Sequence, residues 1–153
     1  MGVSLDSHGV FKQFDKSELS LLESVMTARK LPCDAFLFTK GEAARECYFL
    51  LEGQVTVGID SPQGFQTLAT LSQGEIFGEL ALLDGGGRSA SCKVSSSQAH
   101  VGILSRTDFD LVFNSGNPIA YSLLDLISER LIDRVRGAVV ELAHVIDAER
   151  EQA

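Results

Sequence analysis

Apolar and polar positions follow three different patterns along the chain, and the first of them is helical. Within residues 1–30, apolar residues recur at intervals of three and four, as Leu19 and Leu22 do, and this period predicts an amphipathic helix. Asp15 precedes the run and Glu18 stands three positions later, which is the spacing of a capping box. We therefore predict an N-terminal helical segment whose main helix begins just after Asp15.

Between residues 31 and 105 the pattern changes to short apolar runs separated by turn residues. Glycine marks many of the breaks, as at Gly41, Gly53 and Gly74. Many short runs with turn signals between them predict an antiparallel sandwich, barrel or roll. The predicted strands are residues 35–39, 47–51, 54–59, 65–71, 90–94 and 100–104.

The last part of the chain returns to a helical pattern. Residues 108–114 predict a short helix, with Ser105 or Thr107 as its N-cap. Pro118 then stands where the first residue of a new helix is expected, because proline lacks the N–H that is unpaired there. We expect this second helix to continue to about residue 149.

Two adjacent apolar stripes run along the predicted C-terminal helix. Either both stripes face the core of the domain, or one packs on the roll while the other meets a partner helix. A helix of about 30 residues is about 45 Å long, which is more than a small roll covers easily and favours the partner helix. The stripes contain Leu124, Leu131, Ala138 and Val145, with Val135 and Leu142 between them and Ile132, Val139 and Ile146 beside them.

Together the three zones predict one domain over residues 1–153, of the mainly β (α+β) class. Residues 31–105 are expected to form an antiparallel, jelly-roll-like β-roll. Residues 1–30 flank it with N-terminal helices, and residues 106–153 flank it with a long C-terminal helix.

The charge balance narrows the class of partner. The formal net charge is −8, whereas binding to phosphate backbones needs clustered Lys and Arg. We therefore expect no nucleic acid partner. A small anionic ligand is compatible with this balance if the fold supplies a local positive site.

Cysteine, histidine and hydropathy patterns exclude several other classes. Cys33, Cys47 and Cys92 are widely spaced, which predicts free thiols in a reducing compartment. The three histidines are scattered, so we predict neither a metal site nor a catalytic one, and no enzyme. No apolar stretch approaches the roughly 18 residues of a membrane span, and no signal peptide precedes the domain. We expect a cytoplasmic protein with no membrane partner.

The most informative segment is residues 74–91. Gly78 precedes Glu79, and the residues that follow favour a short helical turn, whose first N–H groups suit a phosphate. Arg88 follows a run of glycines and can return to the same end with a forked, charge-assisted contact, and Ser89 adds a hydroxyl. Beside an anion, Glu79 makes sense if it accepts a hydrogen bond from the ligand. The segment therefore predicts a ligand with a phosphate and a neighbouring hydroxyl.

This segment resembles the phosphate-binding cassette of cyclic-nucleotide-binding domains, as found in regulatory subunits of cAMP-dependent kinase and in catabolite activators. The match consists of Phe-Gly-Glu-Leu-Ala-Leu at residues 77–82 and Arg-Ser-Ala at residues 88–90. An upstream block also matches, with Gly41-Glu42 and then Tyr-Phe-Leu-Leu-Glu-Gly-Gln-Val at residues 48–55.

The resemblance implies a ligand, cAMP or cGMP, with no other cofactor, and it assigns roles. Glu79 would accept the ribose 2′-hydroxyl, and Arg88 would pair with the cyclic phosphate. The amides of Leu80 and Ala81 and the Ser89 hydroxyl would complete the phosphate cradle. The implied ligand-binding residues are Phe77, Gly78, Glu79, Leu80, Ala81, Arg88, Ser89 and Ala90.

In this family the C-terminal helix often covers the base, and here it would bring Ala138 and Val139 to that position. Their side chains cannot hydrogen-bond a purine, so the resemblance does not choose between adenine and guanine. The chain carries no winged helix after this one, so we expect a stand-alone sensor. It would signal through the C-terminal helix to a dimer mate or to a separate effector. The alternative is a ligand-free scaffold that mediates protein–protein interaction or dimerisation.

Overall fold

Two antiparallel sheets of four strands each form a β-roll, and helices pack against the first sheet. The computed structural model describes residues 4–6, 9–83 and 86–152. The strands are β1 (Thr27–Pro32), β2 (Phe36–Phe38), β3 (Glu46–Glu52), β4 (Val55–Ser61), β5 (Gly64–Leu71), β6 (Ile76–Phe77), β7 (Ser91–Val94) and β8 (Gln98–Ser105). The first sheet has the order β1-β8-β3-β6 and the second the order β2-β7-β4-β5. This architecture confirms the predicted antiparallel roll.

The described part of the chain also contains three α-helices and two 3-10 turns. The helices are α1 (Lys16–Val25), α2 (Arg106–Asn114) and α3 (Ile119–Gln152), and the 3-10 turns are Gly9–Phe11 and Glu79–Leu82. None of the helices in the described ranges is long and apolar enough to cross a membrane.

The helix starts follow local capping chemistry, as the sequence predicts. Asp15 accepts a hydrogen bond from the Glu18 amide at 2.8 Å, and the Glu18 carboxylate accepts one from the Asp15 amide at 3.2 Å. Ser105, one of the two candidates, caps α2 by accepting from the Asp108 amide at 3.0 Å. Helix α3 begins at Ile119, one residue after the predicted position.

All six predicted strands are present, with ends that differ by at most two residues. The prediction of helix up to residue 30 is wrong, because α1 ends at Val25 and the chain continues as β1. Strand β1 pairs with β8 from Thr27 opposite Ile103 to Pro32 opposite Gln98. Pairing with a strand 70 residues away overrides a helical period that is only local. The two-residue strand β6 was also not predicted.

The core has two layers, and β3 contributes to both because its side chains alternate. Cys47, Phe49 and Leu51 point toward the helices. Tyr48 and Leu50 point between the two sheets. This double burial explains why β3 appears in the sequence as an unbroken apolar run.

Helix α3 buries one face of its N-terminal part, and the rest of the helix is exposed. The buried residues are Ile119, Ala120, Leu123, Leu126 and Ile127. From Ile132 to Gln152 every residue is exposed, over a length of about 31 Å. The reading in which both stripes face the domain's own core is therefore wrong for this half. A partner for the second stripe stays a prediction.

Candidate functional site

A cavity of about 670 Å³ opens beside the predicted cassette. Seven of the eight predicted binding residues line it, and the second sheet supplies an apolar wall that includes Val57, Ala69 and Leu71. Helix α3 reaches the cavity through Arg134. The predicted residues in the lining are Phe77, Gly78, Glu79, Leu80, Arg88, Ser89 and Ala90.

Arg88 is held in one orientation by its surroundings, although its side chain is long. Its Nη2 donates to the Glu46 carbonyl at 2.7 Å, and its Nη1 donates to the Gly78 carbonyl at 3.2 Å. The guanidinium carbon lies 4.1 Å from the centroid of the Phe38 ring, and the residue as a whole is 9% exposed. A planar, always charged group that is fixed in this way is suited to a phosphate.

The upstream Gly-Glu motif supports the backbone of Arg88. The Gly41 amide donates to the Arg88 carbonyl at 2.8 Å, and the Arg88 amide donates to the Glu42 carbonyl at 2.8 Å. One step away, the Ala44 amide donates to the Gly86 carbonyl at 3.1 Å. The two matched blocks of sequence therefore meet in space, and the first positions the second.

Gly78 occupies a backbone conformation that favours glycine. Its φ is +71°, and it forms the N-cap of the turn Glu79–Leu82. A Cβ at this position would lie 2.8 Å from the Arg88 Nη1 and 3.2 Å from a ring carbon of Tyr48. The cavity wall at Gly78 therefore has no room for a side chain, because Arg88 lies directly behind it.

Glu79 is almost completely buried, with 1% of its surface exposed. Its Oε1 accepts a hydrogen bond from the Arg134 Nη1, and the Arg134 Nη2 donates to the Ile76 carbonyl. Arg134 was not among the residues predicted from the sequence. It lies seven residues after the buried Ile127 and so on the same face of α3, which is the signal that could have identified it.

Two buried polar atoms of the cavity residues have no hydrogen-bond partner. They are the Oε2 of Glu79 and the Nε of Arg88. Buried groups of this kind are normally paired, because leaving one unpaired costs about 1–3 kcal/mol. An unpaired acceptor of a carboxylate and an unpaired donor of a guanidinium thus belong to two residues that line the same cavity.

The other predicted residues differ in how they meet the cavity. Ser89 is exposed at the rim, and Ala90 is half-buried. Leu80 lines the cavity with a side chain that is largely exposed. Ala81 lies in the same 3-10 turn, Glu79–Leu82, and its role in the phosphate cradle stays a prediction.

The two predicted base-lid residues do not line the cavity. Ala138 and Val139 are both exposed on the distal half of α3. The α3 residue that does reach the cavity, Arg134, is one helical turn closer to the roll than Ala138. The lid role of the pair stays a prediction.

Tyr48 forms part of the wall behind Gly78 and Arg88. Its hydroxyl donates to the Glu46 Oε2 at 2.8 Å, and its ring stacks on Phe77 at 5.1 Å between centroids. Burial raises the pKa of Tyr48, and the hydrogen bond to Glu46 raises it further. The phenol is therefore a fixed neutral donor at physiological pH.

No group of three or more His, Cys, Asp or Glu residues suited to a metal ion occurs in the described part of the chain. The titratable residues of the cavity are Glu75, Glu79, Arg88 and Arg134. They form a polar rim and floor around an apolar wall, which is the composition of a small-molecule binding site.

Curated relatives of the chain have names that refer to cyclic nucleotides. A cyclic nucleotide-gated potassium channel of Rhizobium etli is 31% identical over 124 residues, which are 79% of this chain and 32% of the channel. The cyclic AMP receptor protein of Thermus thermophilus is 31% identical over 123 residues, which are 80% of this chain and 56% of the receptor. The chain thus spans about a third of one relative and just over half of the other.

The solved structures and the family model agree with these relatives. A cyclic nucleotide-binding domain from Methylobacillus flagellatus matches with a TM-score of 0.75 at 31% identity, over 81% of this chain and 70% of that one. The model of the family described as "Cyclic nucleotide-binding domain" matches residues 28–115, from β1 through α2. This match covers more than half of the chain, and the chain belongs to the cyclic nucleotide-binding domain family.

Proposed function

We propose that the cavity binds cAMP or cGMP and that the domain is a regulatory sensor rather than an enzyme. The observation that carries the proposal is the pair of unpartnered buried atoms, the Arg88 Nε and the Glu79 Oε2. A cyclic nucleotide supplies a complement to each. Its phosphate oxygens accept from the guanidinium, and its ribose 2′-hydroxyl donates to the carboxylate.

The remainder of the cavity suits the rest of such a ligand. Ser89 lies at the rim beside Arg88, where a hydroxyl can reach a phosphate oxygen. Val57, Ala69 and Leu71 offer an apolar wall on which a purine can lie. The volume of about 670 Å³ is within the usual range for small-molecule sites.

The relatives support a cyclic nucleotide over other phosphates. The Thermus thermophilus relative is named a cyclic AMP receptor, and the Rhizobium etli relative is named a cyclic nucleotide-gated channel. Neither name describes an enzyme, which supports a regulatory role for the domain.

Titration calorimetry with cAMP and cGMP, with 5′-AMP as a control, tests the proposal. The wild-type chain should bind at least one cyclic nucleotide, and Arg88→Ala should weaken this binding by about 30- to 150-fold. That range corresponds to about 2–3 kcal/mol for charge-assisted hydrogen bonds. The matched control is Arg29→Ala, an exposed arginine on β1, which should leave the affinity unchanged.

Equal binding by Arg88→Ala and wild type would place the ligand elsewhere. If wild type bound neither cyclic nucleotide at millimolar concentration, the ligand-free scaffold would be the better account of this domain.

For the output of the sensor, we propose that α3 carries the signal through its exposed half to a second copy of the chain. The apolar residues Val135, Leu142 and Val145 are all more than half exposed. Leu142 follows Val135 by seven residues and Val145 follows Leu142 by three, and both spacings fit a coiled-coil seam. A separate effector with an apolar helix is the other candidate partner. The purified chain would have the mass of a dimer if it binds a second copy, and the mass of a monomer if it binds a separate effector.

A further inference from the structure

Arg134 joins helix α3 to the cassette at a single carboxylate. Its two terminal nitrogens bond to two different acceptors, the Glu79 Oε1 and the Ile76 carbonyl. Because a guanidinium is planar and its donors are rigidly arranged, two acceptors fix the plane of the group. The Glu79 carboxylate is thereby fixed as well.

The arrangement uses only half of that carboxylate. Arg134 takes the Oε1, whereas the Oε2 is buried and has no partner. A carboxylate with 1% exposure is costly unless a counter-charge and hydrogen bonds compensate for lost hydration. Within the described residues, Glu79 forms its ion pair with Arg134.

We propose that Arg134 is a positioning residue that holds Glu79 with its Oε2 free to accept the ribose 2′-hydroxyl of the ligand; this inference rests on the proposed function. Arg134 acts through Glu79 and does not compete with the ligand, because the two would use different oxygens. Its effect on affinity is therefore specific to ligands that carry the hydroxyl.

The position of Arg134 on α3 gives this contact a second consequence. It follows Leu131, after which α3 is exposed to its end. The ion pair with Glu79 is thus the last contact between the roll and the helix before α3 extends into solvent, among the described ion pairs and hydrogen bonds. The position of α3 against the roll and the occupancy of the ribose site are therefore linked through the Glu79 carboxylate.

Calorimetry with two ligands, cAMP and 2′-deoxy-cAMP, separates this role from a general structural one. The variants are Arg134→Met, which keeps most of the side-chain length without the charge, and the control Arg136→Met on an exposed part of the same helix. Arg134→Met should weaken cAMP binding about tenfold. It should change 2′-deoxy-cAMP binding by less than about twofold, and Arg136→Met should change neither.

An equal loss for both ligands would overturn the proposal, since it would mean that Arg134 shapes the whole pocket. Unchanged or tighter binding of cAMP would overturn it too. If Arg134→Met does not fold, as judged by thermal melting, Arg134→Lys provides the same comparison, because it keeps the charge but cannot bond to both acceptors. Failure of the wild type to bind cAMP would instead count against the proposed function and is seen before any variant is measured.

Discussion

The Nη1 of Arg88 lies 2.8 Å from the point that a Cβ on Gly78 would occupy, and it donates to the Gly78 carbonyl at 3.2 Å. The two ends of the cassette are therefore packed directly against each other across ten residues of sequence. This relationship gives Gly78 a structural role beside Arg88 in this chain. The first residue makes room for the second.

Gly78→Ala should weaken both nucleotide binding and the fold. The new methyl group would displace the flexible end of the Arg88 side chain. The proposed contact with the ligand phosphate requires that side chain in its present position. We expect affinity for cAMP to fall by about tenfold, as charge-assisted bonds are lost. The positive φ at this position adds a strain of about 1–2 kcal/mol to an alanine. Chemical denaturation should show this strain as a lower free energy of unfolding.

Gly74→Ala is the matched control for this variant. Gly74 also has a positive φ, of +91°, but a Cβ there would meet nothing within 4 Å. It should lose similar stability and keep its affinity. Equal affinities for the two variants would show that the contact between Gly78 and Arg88 does not matter for binding.

Phe38→Leu should loosen the Arg88 guanidinium, which lies 4.1 Å from the ring centroid. Loss of a cation–π contact of about 0.5–1 kcal/mol predicts roughly two- to fivefold weaker binding in calorimetry. Phe36→Leu on the same strand is the control, because its ring packs on Phe65 instead and is 43% exposed. Identical affinities for both variants would exclude a platform role for Phe38.

Thiol labelling should distinguish the three cysteines at pH 8. Cys33 is exposed, whereas Cys47 and Cys92 are buried in the roll. Burial raises the pKa of Cys92 to about 12, and burial together with the nearby Glu79 raises the pKa of Cys47. Because the thiolate is the reactive form, Ellman's reagent should titrate one thiol rapidly and the other two only in denaturant.

Cys33→Ser is the control for this experiment and should abolish the rapid phase. A second rapid thiol in the wild type would mean that the roll opens far more readily than its packing implies.

Val135→Asp should disrupt self-association through α3 without unfolding the domain. Val135 lies on the proposed seam and is 62% exposed, so the charge costs little within one chain. Val140→Asp is the control, because Val140 is 56% exposed and stands about 140° away around the helix. Sedimentation should show a wild-type dimer, a Val140→Asp dimer and a Val135→Asp monomer.

A wild-type monomer at micromolar concentration would exclude the second copy as the partner of α3. An equal effect of both variants would mean that the seam is not the surface that associates.

Features encoded within a few residues could be predicted from the sequence. Asp15 and Glu18 locate the start of α1 because a capping box needs only four residues. The strands follow from short apolar runs and glycine punctuation, and the cassette was identified by the resemblance of residues 77–82 and 88–90 to the family motif. Strand β1 could not be predicted in this way, because its apolar spacing also fits a helix and only β8 supplies its hydrogen bonds.

By itself, the sequence determined the roll and the family motif, together with the two residues proposed to face a phosphate and a hydroxyl, since each depends on short-range spacing. Only the tertiary structure decided how that site is completed. Arg134 reaches Glu79 across 55 residues of sequence, and the expected lid residues Ala138 and Val139 lie beyond the roll. The physical reason is that the residues sharing one face of a helix follow from the local period of the sequence. Which of their side chains reaches the cavity depends on where packing against the roll positions the helix.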